Sequence, residues 1–210
     1  MTQPAIVTPT ADASAAPDTR RRVGILAVQG AVREHAEAVR ALGAEPVMVR
    51  LPADFEGLDA LILPGGESTT MRRLIDRYAL RDPILAMAAA GRPMLGTCAG
   101  MILLAGRATD GDEPVLPLLD VTVQRNAYGR QLDSHETDVA IPAIGETPLR
   151  GVFIRAPVLS ETGPDVEVLA RDEDGRPIAV RQGKVLATAF HPELTDDRRL
   201  HQLLLEMIGT

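Results

Sequence analysis

Cys98 is the only cysteine in the 210-residue chain, and it lies in the run Gly96-Thr97-Cys98-Ala99-Gly100. This G-x-C-x-G pattern is the thiol counterpart of the G-x-S-x-G elbow, which presents a nucleophile on a sharp strand-to-helix turn. Small flanking residues let the chain pass close beneath such a strained turn. A helix that begins there points its free N–H groups at the sulfur and favours the thiolate. The pattern predicts a cysteine nucleophile, and a buried inert thiol is the alternative.

A cysteine nucleophile needs a base and a group that orients the base. Of the four histidines, His191 is the best candidate, because it directly follows an apolar strand and precedes Pro192 and Glu193. Pro192 fixes its own φ and biases His191 away from a helix. Side chains at i and i+2 of an extended segment project to the same side, so Glu193 can reach one ring nitrogen of His191 and leave the other for Cys98. We predict a Cys98–His191–Glu193 triad; a loop histidine with Glu193 capping the last helix is the alternative.

The other three histidines have simpler interpretations. His35 and His201 lie in predicted helices beside charged residues, which is typical of solvated or helix-face positions. His135 lies among polar residues, and we expect it on an exposed strand edge. None of the three is needed as the base.

A second candidate motif, Pro64-Gly65-Gly66-Glu67-Ser68, ends a predicted strand. In open α/β sheets, ligands bind beyond the carboxyl ends of the strands. Successive glycines let backbone N–H groups approach a ligand and stabilise a developing oxyanion. The alternative is a plain turn with Ser68 as a helix N-cap, and Ser68 could serve both purposes.

Alternating strands and helices position these motifs in the first half of the chain. Apolar runs predict strands at 23–28, 46–50, 59–63 and 93–96. Amphipathic patterns predict helices at 31–42, 69–80, 83–90 and 99–105. In the third of these helices we expect Asp82 as N-cap, Pro83 at the first position and Gly91 after the last turn. The alternation indicates β-α-β units and therefore a parallel sheet.

The second half of the chain changes to consecutive strands. They are predicted at 115–124, 132–141, 149–154, 166–170, 178–181 and 185–190. Asp174-Gly175 and Gln182-Gly183 predict hairpin turns, and a closing helix capped by Thr195 or Asp196 runs to Ile208. We therefore predict a single α/β domain at 23–210: a central, mostly parallel sheet flanked by helices, with antiparallel strands added in the second half. Residues 1–22 lack periodicity and are predicted to be a disordered tail.

Composition argues against several classes of function. The net charge of −7 gives no support to a nucleic-acid or anionic-membrane partner, and only 2% of residues are aromatic. No apolar run approaches the roughly 20 residues of a membrane span. A single cysteine excludes an internal disulfide and fits a reducing compartment, so we predict a cytoplasmic protein.

Three motifs in this order, Gly-Gly-Glu-Ser, G-x-C-x-G and His-Pro-Glu, each following a predicted strand, resemble a class I (triad) glutamine amidotransferase domain, which is flavodoxin-like in fold. Further segments are similar to one subfamily, the glutaminase subunit of the deoxyxylulose-5-phosphate-independent pyridoxal 5′-phosphate synthase. These segments are 26–35, 61–76, 125–131, 151–157 and 190–195. The similarity runs from Val23 to about Ile208, and the 1–22 tail departs from it.

The resemblance implies a reaction. Cys98 would attack the side-chain amide of L-glutamine, while backbone N–H groups of Gly66 and Ala99 hold the oxyanion. His191, oriented by Glu193, would pass the thiol proton to the departing ammonia. Water activated by His191 would then hydrolyse the γ-glutamyl thioester to glutamate.

The resemblance also implies a set of glutamine-binding residues: Gly66, Glu67, Ser68, Arg125, Ile154 and Arg155. Either arginine could hold the α-carboxylate, because its planar fork matches a carboxylate bidentately. Glu67 could receive the α-ammonium. The resemblance implies no metal and no cofactor, since pyridoxal 5′-phosphate would be the product of the complex.

The implied partner is a (β/α)₈-barrel synthase subunit that receives the ammonia in a 12+12 assembly. Docking of the synthase would complete the oxyanion hole, with Gly65-Gly66 acting as a hinge. Three alternatives stay open at this stage. They are a glutaminase subunit for another acceptor synthase, a stand-alone cysteine hydrolase acting on γ-glutamyl peptides, and a catalytically inactive binding module.

Overall fold

The computed structural model describes residues 20–110, 113–124 and 134–209. The predicted 1–22 tail therefore lies outside the described residues up to position 19, while its last residue, Arg22, begins the first strand. Within the described ranges, no helix combines the length and the apolar character needed to cross a membrane.

Twelve strands are found among the described residues. In chain order they are β1 (Arg22–Leu26), β2 (Glu45–Val49), β3 (Ala60–Leu63), β4 (Met94–Thr97), β5 (Ala105–Ala108), β6 (Leu119–Gln124), β7 (Ser134–Val139), β8 (Leu149–Ile154), β9 (Val158–Thr162), β10 (Glu167–Arg171), β11 (Pro177–Gln182) and β12 (Val185–Thr188). Seven of them form the central sheet, in the order β10-β11-β12-β4-β3-β1-β2. The neighbours from β12 to β2 pair in parallel, whereas β10 and β11 add to the edge antiparallel. The predicted α/β fold with a mostly parallel sheet is confirmed.

Not all of the second-half strands join the central sheet. β5, β6 and β9 form a three-stranded sheet, and β7 pairs with β8 in a two-stranded one. β5 and β9 were not predicted, and the strand expected from residue 115 begins only at Leu119. The predicted hairpin turns are confirmed, with Gly175 and Gly183 at φ values of 80° and 54°.

The helices are α1 (Val32–Ala41), α2 (Ser68–Arg77), α3 (Arg81–Ala89), α4 (Ala99–Leu104) and α5 (Arg199–Glu206). The predicted N-cap of α3 is wrong: Leu80 caps the helix, because its carbonyl already accepts the N–H of Ile84 at 3.2 Å. α5 is capped by Arg198 rather than Thr195 or Asp196. Its start is delayed because Pro192–Leu194 forms a separate 3₁₀ turn.

The hydrophobic core lies on both faces of the central sheet. Every residue of β3, β4 and β12 is buried, as expected for parallel strands covered by helices on both sides. Phe190, two residues beyond the end of β12, is also fully buried. The carboxyl ends of these three neighbouring strands therefore emerge side by side from the core, and each of them leads into one of the predicted motifs.

Candidate active site

Cys98 and His191 lie together because they follow neighbouring parallel strands. Thr97 pairs with Thr188 at the ends of β4 and β12, and the Thr188 carbonyl accepts the N–H of Cys98 at 2.8 Å. The N–H of His191 donates to the carbonyl of Val152 at 2.9 Å, which fastens the segment against β8. Cys98 is close enough to His191 to be among the groups that raise the pKa of that histidine. The structure thus places the predicted nucleophile and base beside each other at the carboxyl edge of the sheet.

The elbow geometry predicted around Cys98 is confirmed. Cys98 has φ 49° and ψ −101°, a conformation that costs energy for any residue with a Cβ. A Cβ built on Gly100 would lie 2.0 Å from the carbonyl oxygen of Leu63, and one on Gly96 would lie 2.5 Å from Leu104 Cδ1. Both flanking glycines are therefore required by close packing. Ala99 opens α4 immediately after the sulfur.

Glu193 reaches back to His191 as the sequence predicts. Its Oε1 lies 2.8 Å from His191 Nδ1, and both side chains are buried. Burial lowers the pKa of His191, but hydrogen bonds to Cys98 and Glu193 and the charge of Glu193 outweigh it and raise the pKa to about 10. His191 is thus held as an imidazolium at neutral pH, between a carboxylate and the sulfur.

The Gly65–Gly66 turn packs against the same histidine. A Cβ built on Gly65 would lie 2.2 Å from His191 Cε1, so only glycine fits there. The Gly65 carbonyl accepts the N–H of Ala31 at 3.0 Å. Gln29 Oε1 accepts the N–H of Glu67 at 2.7 Å and lies 2.4 Å from the position of a Cβ on Gly66. Gln29, to which the sequence analysis gave no role, therefore holds the turn beside the base.

Glu67, not Ser68, caps helix α2. Its carboxylate accepts the N–H groups of Thr69 and Thr70 at 3.0 and 2.8 Å, and the Thr70 hydroxyl at 2.6 Å. The hydrogen bond from the Thr70 hydroxyl is the main cause that lowers the pKa of Glu67, to about 2. Burial opposes this effect, and the backbone hydrogen bonds from Thr70 and Thr69 add to it. Ser68 is the first residue of the helix, so the alternative interpretation of Ser68 as the N-cap is wrong.

The Ile154–Arg155 segment borders the sulfur. The Ile154 carbonyl oxygen lies 3.8 Å from Cys98 Sγ, as its hydrogen-bond acceptor. Arg155 follows in a left-handed conformation, φ 44°, and its side chain is exposed. Arg125, the other predicted partner for a substrate carboxylate, lies outside the described residues.

Two histidines, predicted from the sequence as solvated or helix-face residues, lie at the core of this site. His35 and His201 are 0% and 1% exposed, and His35 Nδ1 lies 2.9 Å from His201 Nε2. His35 Nε2 lies 3.1 Å from Thr97 Oγ1 and 3.5 Å from Glu193 Oε2. A signal was present, since His35 is three residues after Val32 and four before Val39 on the apolar stripe of α1.

His135 lies where it was expected, exposed on β7, with its ring stacked on Phe153 at 4.6 Å between centroids. Across the described ranges, no group of three or more His, Cys, Asp or Glu side chains is arranged to hold a metal ion.

The fold is that of the class I glutamine amidotransferases. It combines a mostly parallel sheet with a cysteine elbow and a buried His–Glu pair at the carboxyl ends of neighbouring strands. A crystal structure described as a glutamine amidotransferase matches with a TM-score of 0.84 and 48% identity, over 90% of this chain and 99% of that one. PurLQS from Thermotoga maritima shares the fold, with a TM-score of 0.68 at 20% identity. The chain belongs to the SNO glutamine amidotransferase family, whose family model matches residues 25–210.

Curated relatives cover nearly the whole domain. The pyridoxal 5′-phosphate synthase subunit PdxT of Geobacillus kaustophilus is 57% identical over 187 residues, which are 89% of this chain and 94% of that protein. The protein of the same name from Thermotoga neapolitana is 52% identical over 187 residues, 89% of this chain and 99% of its own length. The resemblance inferred from the motifs is confirmed.

Proposed function

We propose that this chain is the glutaminase subunit of a pyridoxal 5′-phosphate synthase and that it hydrolyses L-glutamine through Cys98. The observation that carries the assignment of the nucleophile is the placement of Cys98, by the pairing of β4 with β12, beside a histidine whose Nδ1 lies 2.8 Å from Glu193 Oε1. The vitamin B6 assignment is supported by relatives named PdxT at 52–57% identity.

The first half of the reaction is acylation of the sulfur. The Cys98 thiolate attacks the amide carbon of glutamine, and a C–S bond forms as the carbonyl oxygen takes the negative charge. His191 gives its Nε2 proton to the leaving nitrogen, the C–N bond breaks, and ammonia departs. Glu193 keeps the Nδ1 proton in place, so that Nε2 is the nitrogen that faces the reacting atoms.

The second half is hydrolysis of the γ-glutamyl thioester. Neutral His191 takes a proton from water, whose oxygen attacks the thioester carbon. The C–S bond then breaks, glutamate leaves, and the thiolate–imidazolium pair is restored. Because the same nitrogen delivers and removes the proton, one well-held imidazole serves both steps.

Gly66 and Ala99 are the proposed donors to the oxyanion. Ala99 follows the sulfur directly, and Gly66 stands next to the glycine that packs on His191. The carbonyl of Gly65 accepts the N–H of Ala31, so a rotation of the Gly65–Gly66 peptide breaks that hydrogen bond. Such a rotation is affordable at a pair of glycines, which supports the hinge that a docking partner would set.

Glutamine would lie between the Gly66-Glu67-Ser68 turn and the Ile154-Arg155 segment. Its α-carboxylate would pair with Arg125 or Arg155, and its α-ammonium with Glu67. The proximity of Ile154 to Cys98 Sγ supports this placement of the amide end. Glu67 is ionised by its hydrogen bonds and can attract a cation while it caps α2.

The proposed recipient of the ammonia is a (β/α)₈-barrel synthase subunit in a 12+12 assembly. We place the reaction in the cytoplasm, where a free catalytic thiol is kept reduced. Pyridoxal 5′-phosphate is then a product of the complex and not a cofactor of this chain.

Ammonia release from glutamine, measured with and without the synthase barrel, tests the proposal. We expect strong release only when both subunits are present. Strong hydrolysis of γ-glutamyl peptides by this chain alone would instead assign a stand-alone hydrolase. Activation by a different acceptor subunit would retain the glutaminase and remove the vitamin B6 assignment.

A further inference from the structure

His35, His201 and Glu193 form a buried row that ends at the catalytic base. His35 Nδ1 lies 2.9 Å from His201 Nε2, and His35 Nε2 lies 3.5 Å from Glu193 Oε2. We infer that His35 is a positioning residue, which holds the second carboxylate oxygen of Glu193, and that His201 fixes the tautomer in which His35 can do so. This inference rests on the proposed function, because it assigns Glu193 to the orientation of His191.

The Glu193 carboxylate needs a second donor. Oε1 is engaged by His191, while Oε2 is buried and accepts no hydrogen bond from any described group, with His35 Nε2 lying 3.5 Å away. A buried carboxylate oxygen without a donor is costly. The ring nitrogen of His35 is the donor within reach, and its side chain, like that of Glu193, is completely shielded from solvent.

The proton positions follow from the partners at each ring nitrogen. Burial lowers the pKa of both histidines, with the charges of His201 and His191 adding to the effect at His35 and that of Arg198 at His201, so both rings are neutral. His201 Nδ1 is buried without a partner. A lone pair is better tolerated there than an N–H group, so the proton of His201 lies on Nε2. It is donated to His35 Nδ1, which leaves the single proton of His35 on Nε2, facing Glu193 and Thr97.

The row spans two helices and the 3₁₀ turn that holds Glu193, and a strand residue contacts it. His35 belongs to α1 and His201 to α5, and Thr97, whose Oγ1 lies 3.1 Å from His35 Nε2, directly precedes Cys98 on β4. With one imidazole at each oxygen, the plane of the Glu193 carboxylate is fixed from both sides. His191 is then fixed through Oε1, which a carboxylate free to rotate could not do.

The test compares two replacements of His35 in the complete complex with the synthase. His35→Leu removes the donor, whereas His35→Gln keeps an amide N–H near the position of Nε2. We expect His35→Leu to lower kcat for ammonia release about 10- to 100-fold with little change in KM, and His35→Gln to restore most of it. Val39→Ala, a buried change on the same face of α1, is the matched control for lost stability.

A matching pair of substitutions tests His201, the histidine that donates to His35 Nδ1. His201→Gln retains a donor to His35 Nδ1 and should stay near the wild-type kcat, whereas His201→Phe removes that donor and should lower kcat. This pair decides the question if His35→Leu does not fold. Equal kcat in the Leu and Gln variants of His35, or a loss in Val39→Ala as large as that in His35→Leu, would overturn the inference.

A readout without glutamine separates this inference from the proposed function. Because Cys98 is the only cysteine, alkylation by iodoacetamide reports on its thiolate alone. His35→Leu should slow alkylation at neutral pH several-fold, and His35→Gln should recover the rate. If the wild-type complex releases no ammonia, the proposed function fails, while the alkylation series still decides the role of His35. Unchanged alkylation in His35→Leu, together with unchanged kcat, refutes that role.

Discussion

The ring of His191 packs directly on Gly65, so closely that a methyl group there would lie 2.2 Å from Cε1 and 2.6 Å from Nδ1. Gly65 ends no helix and is not among the residues with positive φ. A residue without a side chain is therefore required at position 65 by the contact with His191 and not by the backbone conformation. The Gly65–Gly66 turn, which carries the proposed oxyanion donor, therefore packs closely against His191, the proposed base.

Gly65→Ala should displace His191 and lower kcat about 100-fold or more, because a shift of about 1 Å in a catalytic group has an effect of that size. Steady-state ammonia release by the complex measures it. Gly43→Ala is the control: its φ is 79° and no atom lies within 4 Å of the added Cβ, so it should lose stability through strain but keep its activity. Normal turnover by Gly65→Ala would contradict the packing argument.

Cys98→Ala should abolish ammonia release in the reconstituted complex and leave the fold intact, since no other thiol is present to form the thioester. Cys98→Gly should be equally inactive. Because residue 98 has φ 49°, the Gly variant should be more stable than the Ala variant, by about 1 kcal/mol in urea unfolding. Residual ammonia release by either variant would exclude Cys98 as the nucleophile, and equal stability would argue against strain at the elbow.

The elbow and its partners were predictable because each has a local signal. Glycines two residues on either side of Cys98, and a proline between His191 and Glu193, mark turns that directly follow apolar strands. The parallel pairing of β4 with β12 then places Cys98 beside His191. The apolar runs predict a parallel sheet, but they do not predict which strands in it are neighbours.

The features that could not be predicted from the sequence depend on long-range packing or on a shift of one residue in the start of an element. His35 and His201 lie beside charged residues, and only the packing of α1 and α5 on the same side of the sheet brings their rings together. Whether Glu67 or Ser68 caps α2 depends on where the first turn begins, which the residue types do not decide. β5 and β9 carry no clean apolar alternation, so they became visible only as partners of β6.

Glu193→Gln should lower kcat roughly a thousandfold, because an amide cannot stabilise the imidazolium and can donate to Nδ1, which selects the wrong tautomer of His191. The binding of this subunit to the synthase, measured by analytical ultracentrifugation, should be unchanged. Glu37→Gln, which neutralises an exposed carboxylate on α1, is the matched control and should behave as the wild type. Comparable losses of kcat and of docking in Glu193→Gln would indicate a structural role.

The buried histidines should make the protein sensitive to acid. Desolvation by burial, with the charge of Arg198 adding to it, lowers the pKa of His201 from 6.5 to about 4, and burial lowers that of His35 as well. Between pH 6.5 and about 4 the unfolded chain therefore binds protons that the folded state does not, and the free energy of unfolding falls as the pH falls through this window. Above pH 6.5 this loss is absent.

His201→Gln should flatten that dependence by up to about 1.4 kcal/mol per pH unit within the window, since one proton-linked site is removed. Urea unfolding of the wild type and the variant at a series of pH values gives the two slopes. His135→Gln, which replaces an exposed histidine on β7, is the matched control. If His201→Gln loses stability in acid as steeply as the wild type, His201 has the same pKa in the folded and unfolded protein, and burial of its ring is not the source of the acid sensitivity.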